Sequence, residues 1–148
     1  MITQNLNWGH IILIAKNYTG LKIYIKIVSD AHVNHFYRAP RILKSVLEKY
    51  KEGIIIGSAC EAGQVFKAVK KNVSDEEMAK IIDLYDYIEV MPIDNNRFMI
   101  DKGEVQDEEE LRDSNRKLIE TAIKFGKIPV ATGDVHFLEK HEAVLRKF

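Results

Sequence analysis

At 148 residues, with 46% hydrophobic and 30% charged side chains, the chain has the size and balance of one soluble domain with a substantial core. Its 22 basic and 22 acidic residues cancel, which excludes global steering toward nucleic acid but leaves room for a local patch. The single cysteine, Cys60, excludes an internal disulfide, and no apolar run is long enough to span a bilayer, so a reducing, cytoplasmic setting without membrane contact is expected.

Residues 1–7 lack periodicity, and a strand pattern starts at once at Gly9-His10. With the abrupt end over 145–148, this is the pattern expected of a piece of a longer chain. Ile11-Ile12-Leu13-Ile14-Ala15 is continuously apolar, which predicts a central parallel strand covered on both faces. After a turn, Thr19 is predicted to cap a helix with Leu21, Tyr24, Ile25 and Val28 at helical spacing. Ile23 and Ile27 widen that face, so this helix is expected to be well buried and to fray over 30–34. A mixed aromatic and basic link follows, and Pro40 is expected to open the next helix at its first position. Ile42, Leu43, Val46, Leu47 and Tyr50 form its apolar face, and Lys51-Glu52-Gly53 ends it.

Ile54-Ile55-Ile56 is the second strand. In the small-residue run after it, Ser58 and Glu61 have capping-box spacing ahead of Val65, Phe66 and Val69. Ser74 and Glu77 repeat that spacing before Met78, Ile81, Ile82 and Tyr85. Residues 87–91 form the third strand, stopped by Pro92, and Phe98-Met99-Ile100 reads as a short edge or extension. Asp107 and Glu110 introduce a long amphipathic helix that is acidic at its start, basic toward its end and stopped by Gly126. Ile128-Pro129-Val130 is the fourth strand, and a final helix is expected from Glu139. Alternating strands and helices predict an α/β fold with a mostly parallel sheet and outer helices, either open or part of a barrel.

In such folds, functional groups gather beyond the C-terminal ends of the strands. The fourth strand runs into Ala131-Thr132-Gly133-Asp134-Val135-His136-Phe137. Asp134 and His136, two apart, point the same way in extended chain and suit one divalent metal, although a turn aspartate beside a surface histidine has the same spacing. Cys60, a few residues beyond the second strand, is either a thiolate ligand on the same rim or a small buried hydrophobe. His10 precedes its strand and reads as a cap or surface residue unless the Trp8-Gly9-His10 loop packs toward the rim. Glu89, inside the third strand, needs a partner: a metal-bound neighbour, or a lysine or arginine. His32, His35 and His141 read as surface residues, as do the basic Arg38, Arg41 and Lys44. There is no Walker loop, Rossmann fingerprint or nucleophile elbow.

Residues 10–17 (His-Ile-Ile-Leu-Ile-Ala-Lys-Asn) with Thr19-Gly20-Leu21, residues 36–41 (Phe-Tyr-Arg-Ala-Pro-Arg), 57–63 (Gly-Ser-Ala-Cys-Glu-Ala-Gly), 87–90 (Tyr-Ile-Glu-Val) and 131–137 together resemble successive motifs of the PHP (polymerase and histidinol phosphatase) domain. More narrowly, they resemble that domain as it occurs in PolC-type replicative DNA polymerases. The resemblance implies a distorted (β/α)7 barrel with metals at its C-terminal rim, and it places His10, Cys60, Asp134 and His136 at metal-ligand positions; Glu89 matches a recurrent strand glutamate that is not a direct ligand. The family's opening His-x-His and Thr-Asp-His motifs are absent. The whole of residues 1–148 therefore resembles the C-terminal portion of a PHP domain, the part that follows an inserted proofreading 3′–5′ exonuclease.

On this resemblance the metal is zinc or manganese, or else iron, with magnesium serving the parent polymerase. The partners are the missing PHP half, the exonuclease and polymerase domains, DNA and replisome subunits. The piece alone is not expected to polymerise DNA, and no catalytic residue is assigned. The competing expectations are a free-standing metal-dependent phosphoesterase and a non-catalytic interaction domain.

Overall fold

Consecutive isoleucines at 54–56 lie at the middle of the molecule. The structure, a computed structural model, describes residues 8–139, 141, 142 and 144. In chain order it runs β1 (Ile12–Ala15), α1 (Tyr18–Val33), the short strands β2 (Phe36–Tyr37) and β3 (Ala39–Pro40), and α2 (Lys44–Tyr50) with a 3-10 turn Lys51–Gly53. It continues with β4 (Ile54–Gly57), α3 (Gln64–Lys70), α4 (Asp75–Ile82), β5 (Tyr87–Val90), a second 3-10 turn Ile93–Asn96, α5 (Phe98–Asp101), α6 (Glu108–Lys124) and β6 (Ile128–Ala131). The helix expected from Glu139 falls largely outside the described residues.

The main sheet has the order β1-β4-β5-β6, and β2 pairs with β3 in a separate hairpin. β4 with β5 and β5 with β6 are parallel, as an α/β fold requires when helices return the chain to the same end. β1 departs from the expectation. It is an outer strand and antiparallel to β4, pairing Ile12 with Gly57 and Ala15 with Ile54. Ile12 and Ile14 are 39% and 46% exposed. An unbroken apolar run shows that both faces are apolar; it carries no information on direction or on what covers them.

The core lies around β4 and β5. Ile54, Ile56, Val65 and Ile88 are fully buried, joined by Ile82, Leu111, Leu118 and Ala122 from the helices. α6 packs on α3, β5 and β6, which seals one face. Burying one such aliphatic side chain is worth about 1.5–3 kcal/mol.

Local signals resolve the helix starts. Ser74 accepts from the Glu77 amide, and Asp107 accepts from Glu110 at 2.9 Å while Glu110 reaches back to the amide of Gln106. α6 ends with Gly126 at φ +68°, the left-handed turn in which Lys127 N–H closes on Ala122 O at 2.8 Å.

Several local expectations are corrected. Asn17, not Thr19, caps α1 by accepting from the Gly20 amide. α1 runs to Val33 rather than fraying over 30–34 and buries only a narrow stripe, Gly20, Ile27 and Ala31, leaving Leu21, Tyr24 and Ile25 exposed. Pro40 lies in β3, and α2 begins four residues later at Lys44. Residues 98–100 belong to a short helix, not to an edge strand.

Candidate metal centre

β4 ends at Gly57, and the chain makes a tight loop before α3 begins at Gln64. Ala59 adopts φ +59°, a left-handed conformation unusual for alanine, and turns the backbone just before Cys60. The loop closes through Gly63 N–H on the Cys60 carbonyl at 2.8 Å. A β-carbon at Gly63 would lie 2.1 Å from the Ser58 carbonyl oxygen, so only glycine fits. Gly63 is also the helix cap. Ser58, expected in that role, is instead buried, and its hydroxyl accepts from the Glu89 amide at 2.9 Å.

The second loop leaves β6 through Thr132, whose amide donates to the Val90 carbonyl. Asn95 holds the Gly133 carbonyl at 2.7 Å, and Asp134 then turns at φ +44°, a conformation an aspartate tolerates. The third contribution comes from β1. Because β1 is antiparallel to β4, its start lies beside the C-terminal end of β4, and the His10 amide donates to Ala62 O at 3.2 Å. The strand's direction is what brings His10 to the rim.

At this rim the donor atoms of Cys60, Glu61 and Asp134 all lie within 4.8 Å of one another. Histidines flank the trio: His10 Nδ1 is 3.4 Å from Cys60 Sγ, and His136 Nδ1 is 4.0 Å from an Asp134 carboxylate oxygen. His136 Nδ1 also lies 2.6 Å from the Asp134 carbonyl, to which it donates. All of His10, Cys60, Asp134 and His136 thus sit at one end of the sheet. Glu61 is the residue the sequence reading missed as a donor. Its spacing from Ser58 suggested a helix cap, whereas the tight loop turns it toward the trio.

Burial pushes the Cys60 thiol above its ordinary value, and the Glu61 and Asp134 carboxylates push the same way against the hydrogen bond at Ala62. Among the described residues no lysine or arginine pairs with Glu61 or Asp134. A soft thiol, hard carboxylates and imidazoles, crowded without a compensating cation, form a donor set that fits zinc, manganese or iron.

Beneath the rim, Glu89 is 7% exposed and has no basic partner among the described residues. Its carboxylate accepts from Tyr87 Oη at 3.2 Å and Thr132 Oγ1 at 3.0 Å. Burial, followed by the neighbouring Glu89 charge, pushes the Tyr87 phenol up to about 12. A cavity of about 10 Å³ separates this network from Cys60 and Glu61; Asn96 lines it, and the buried Asn96 Oδ1 has no hydrogen-bond partner among the described residues. The other histidines lie elsewhere: His32 Nδ1 bonds the Val28 carbonyl, and His35 pairs with Asp30 at 3.4 Å.

An α/β sheet with thiol, imidazole and carboxylate donors gathered at the C-terminal ends of its parallel strands is the architecture of a metal-binding α/β domain. The profile of the PHP domain family matches residues 2–101, so the chain belongs to the PHP domain family. That match includes His10 and Cys60, and Asp134 and His136 lie beyond it.

Similarity to longer proteins runs across nearly the whole chain. It is 51% identical over 144 residues to the DNA polymerase III PolC-type of Clostridium perfringens, covering 97% of this chain and 10% of that protein. It is 45% identical over 138 residues to the counterpart in Oceanobacillus iheyensis and 43% identical over 138 residues to that of Bacillus subtilis, each covering 93% of this chain and 10% of the relative. The chain therefore spans about a tenth of the length of these relatives.

Proposed function

We propose that this chain is the C-terminal portion of the PHP domain of a PolC-type replicative DNA polymerase, and that its local role is a metal-supported scaffold with phosphoester-hydrolase ancestry. The observation that carries this reading is the 51% identity over 97% of the chain to one segment of a polymerase ten times as long, joined to a thiol, carboxylate and imidazole donor set at one rim. In this reading His10, Cys60, Asp134 and His136 hold the metal, and Glu61 adds a donor. Zinc suits the thiolate, and manganese or iron suits the remaining set. When bound, a divalent cation supplies charge neutralisation to a phosphoester oxygen. The protein's own part is to hold the donors close, which the two tight loops do.

The working partners are then the rest of the polymerase chain, including the first PHP portion, the exonuclease and the polymerase domains, and through them DNA and replisome subunits in the cytoplasm. No helix among the described residues is long and apolar enough to cross a membrane. The exposed apolar flank supports a covered position in a longer chain: a groove of about 710 Å³ lies among Trp8, Ile11, Pro40, Leu43 and Leu47. Polymerisation, and magnesium for it, belong to the parent protein.

Metal analysis of the 148-residue chain and of the polymerase-length protein tests this. Partial occupancy is expected in the chain and fuller occupancy in the longer protein. The double substitution Asp134→Ala/His136→Ala should lower metal affinity by more than about 100-fold, beyond the loss typical of outer-sphere partners. Unchanged occupancy in the double variant would refute the assignment. A chain that holds no metal in either context would favour a purely structural domain.

A further inference from the structure

We propose that Glu89 is a positioning residue that fixes the Cys60 loop and the Asp134 loop against each other. Glu89 sits on β5, between the strands that deliver the two loops. Its backbone N–H donates to Ser58 Oγ at 2.9 Å, and its carboxylate accepts from Thr132 Oγ1 at 3.0 Å. Ser58 precedes Cys60 by two residues, and Thr132 precedes Asp134 by two. One buried residue therefore holds both loops at the same offset from their donors.

Each loop needs such an anchor. Past its link to Glu89, each contains a non-glycine residue in the left-handed region, Ala59 at φ +59° and Asp134 at φ +44°. Such conformations persist where the surroundings impose them. The regular pairing between β4 and β5 reaches only Gly57 opposite Tyr87, so the Ser58 hydroxyl carries the connection one step further. A carboxylate 7% exposed is costly to bury, and here one of its oxygens serves the rim by accepting from Thr132 Oγ1, while the other accepts from Tyr87, its neighbour on β5, at 3.2 Å.

The geometry makes a reciprocal demand. Loosening either link should be felt in the opposite loop, through Glu89. Amide hydrogen exchange on the 148-residue chain measures this with or without metal. Thr132→Val, nearly isosteric, is expected to speed exchange at the Gly63 amide, and Ser58→Ala is expected to speed it at the Thr132 amide, the hydrogen-bonded amides of the two loops. Each change should be on the order of tenfold, the effect of one buried hydrogen bond on local opening. Thr132→Ser, which keeps the hydroxyl, should restore protection. Tyr87→Phe keeps the ring that packs on Gly57, removes only the bond to the other carboxylate oxygen, and should leave both rim segments at wild-type rates.

Variants that loosen only their own loop, or a Tyr87→Phe variant equal to Thr132→Val, would overturn the proposal. If Thr132→Val fails to fold, Ser58→Ala read at the Thr132 amide decides alone. A second arm rests on the metal reading above. In a cobalt(II) titration, Thr132→Val should weaken binding by about 10–100-fold, and Tyr87→Phe should leave it unchanged. A wild-type chain that binds no cobalt counts against the metal reading, and the positioning role is then judged on exchange.

Discussion

The middle of the sheet and its β1 flank are built from similar residues and reach opposite states. β4 and β5 are mostly apolar and covered on both faces, with Ile54, Ile56 and Ile88 fully buried. β1 and α1 are as apolar, yet Ile14, Tyr18, Leu21 and Ile25 are exposed. The difference is supplied by neighbours. α3 and α6 fold back over the centre, and nothing among the described residues does this for the outer side of β1 and α1. Apolar composition sets how much a surface gains from being covered. Topology decides whether this chain can cover it.

The largest effect that would break this contrast is a truncation at the centre. Ile88→Ala should cost about 2–5 kcal/mol in urea unfolding, whereas Ile14→Ala should cost no more than about 1 kcal/mol. Equal losses would mean that the flank is packed in solution. Within a polymerase-length chain the Ile14 penalty should grow, which would locate the covering surface.

Alkaline pH probes the same centre. Burial pushes Tyr85 up to about 12 from its ordinary 10, so the folded state resists losing that proton. The unfolded chain ionises first. Stability is therefore full below pH 10 and declines as pH rises from 10 to 12, by roughly 3 kcal/mol in total. Urea unfolding across that range should show the decline, and Tyr85→Phe should remove this part of it.

Helix caps give the finest comparison. Asp107→Ala, at the start of the central α6, should lower global stability by about 1 kcal/mol. Asn17→Ala at α1 removes an equivalent bond in the exposed flank. Its effect should appear as faster exchange in the first turn of α1, with the global unfolding midpoint little changed.

What the sequence disclosed follows the same division between local and distant causes. The caps at Ser74 and Asp107, the stop at Gly126 and the β4, β5 and β6 segments were legible because each depends on residues a few positions apart. The direction of β1 was not, since hydrophobicity along a strand is the same whichever way it runs. Ser58 and Glu61 were misread for a related reason. Their spacing satisfies a capping box, but Gly63 and the left-handed Ala59 curl the loop, so Ser58 turns to Glu89 and Glu61 to the donors. His10, a surface candidate by position alone and a ligand by family resemblance, lies beside Cys60 once β1 is reversed.

The reversed first strand also governs how polypeptide approaches this domain. A parallel first strand would admit the chain at the floor of the sheet, remote from the donors. Here the backbone passes Trp8 and His10 at the roof, so the described chain enters the fold beside the donor cluster and not at the opposite end of the sheet.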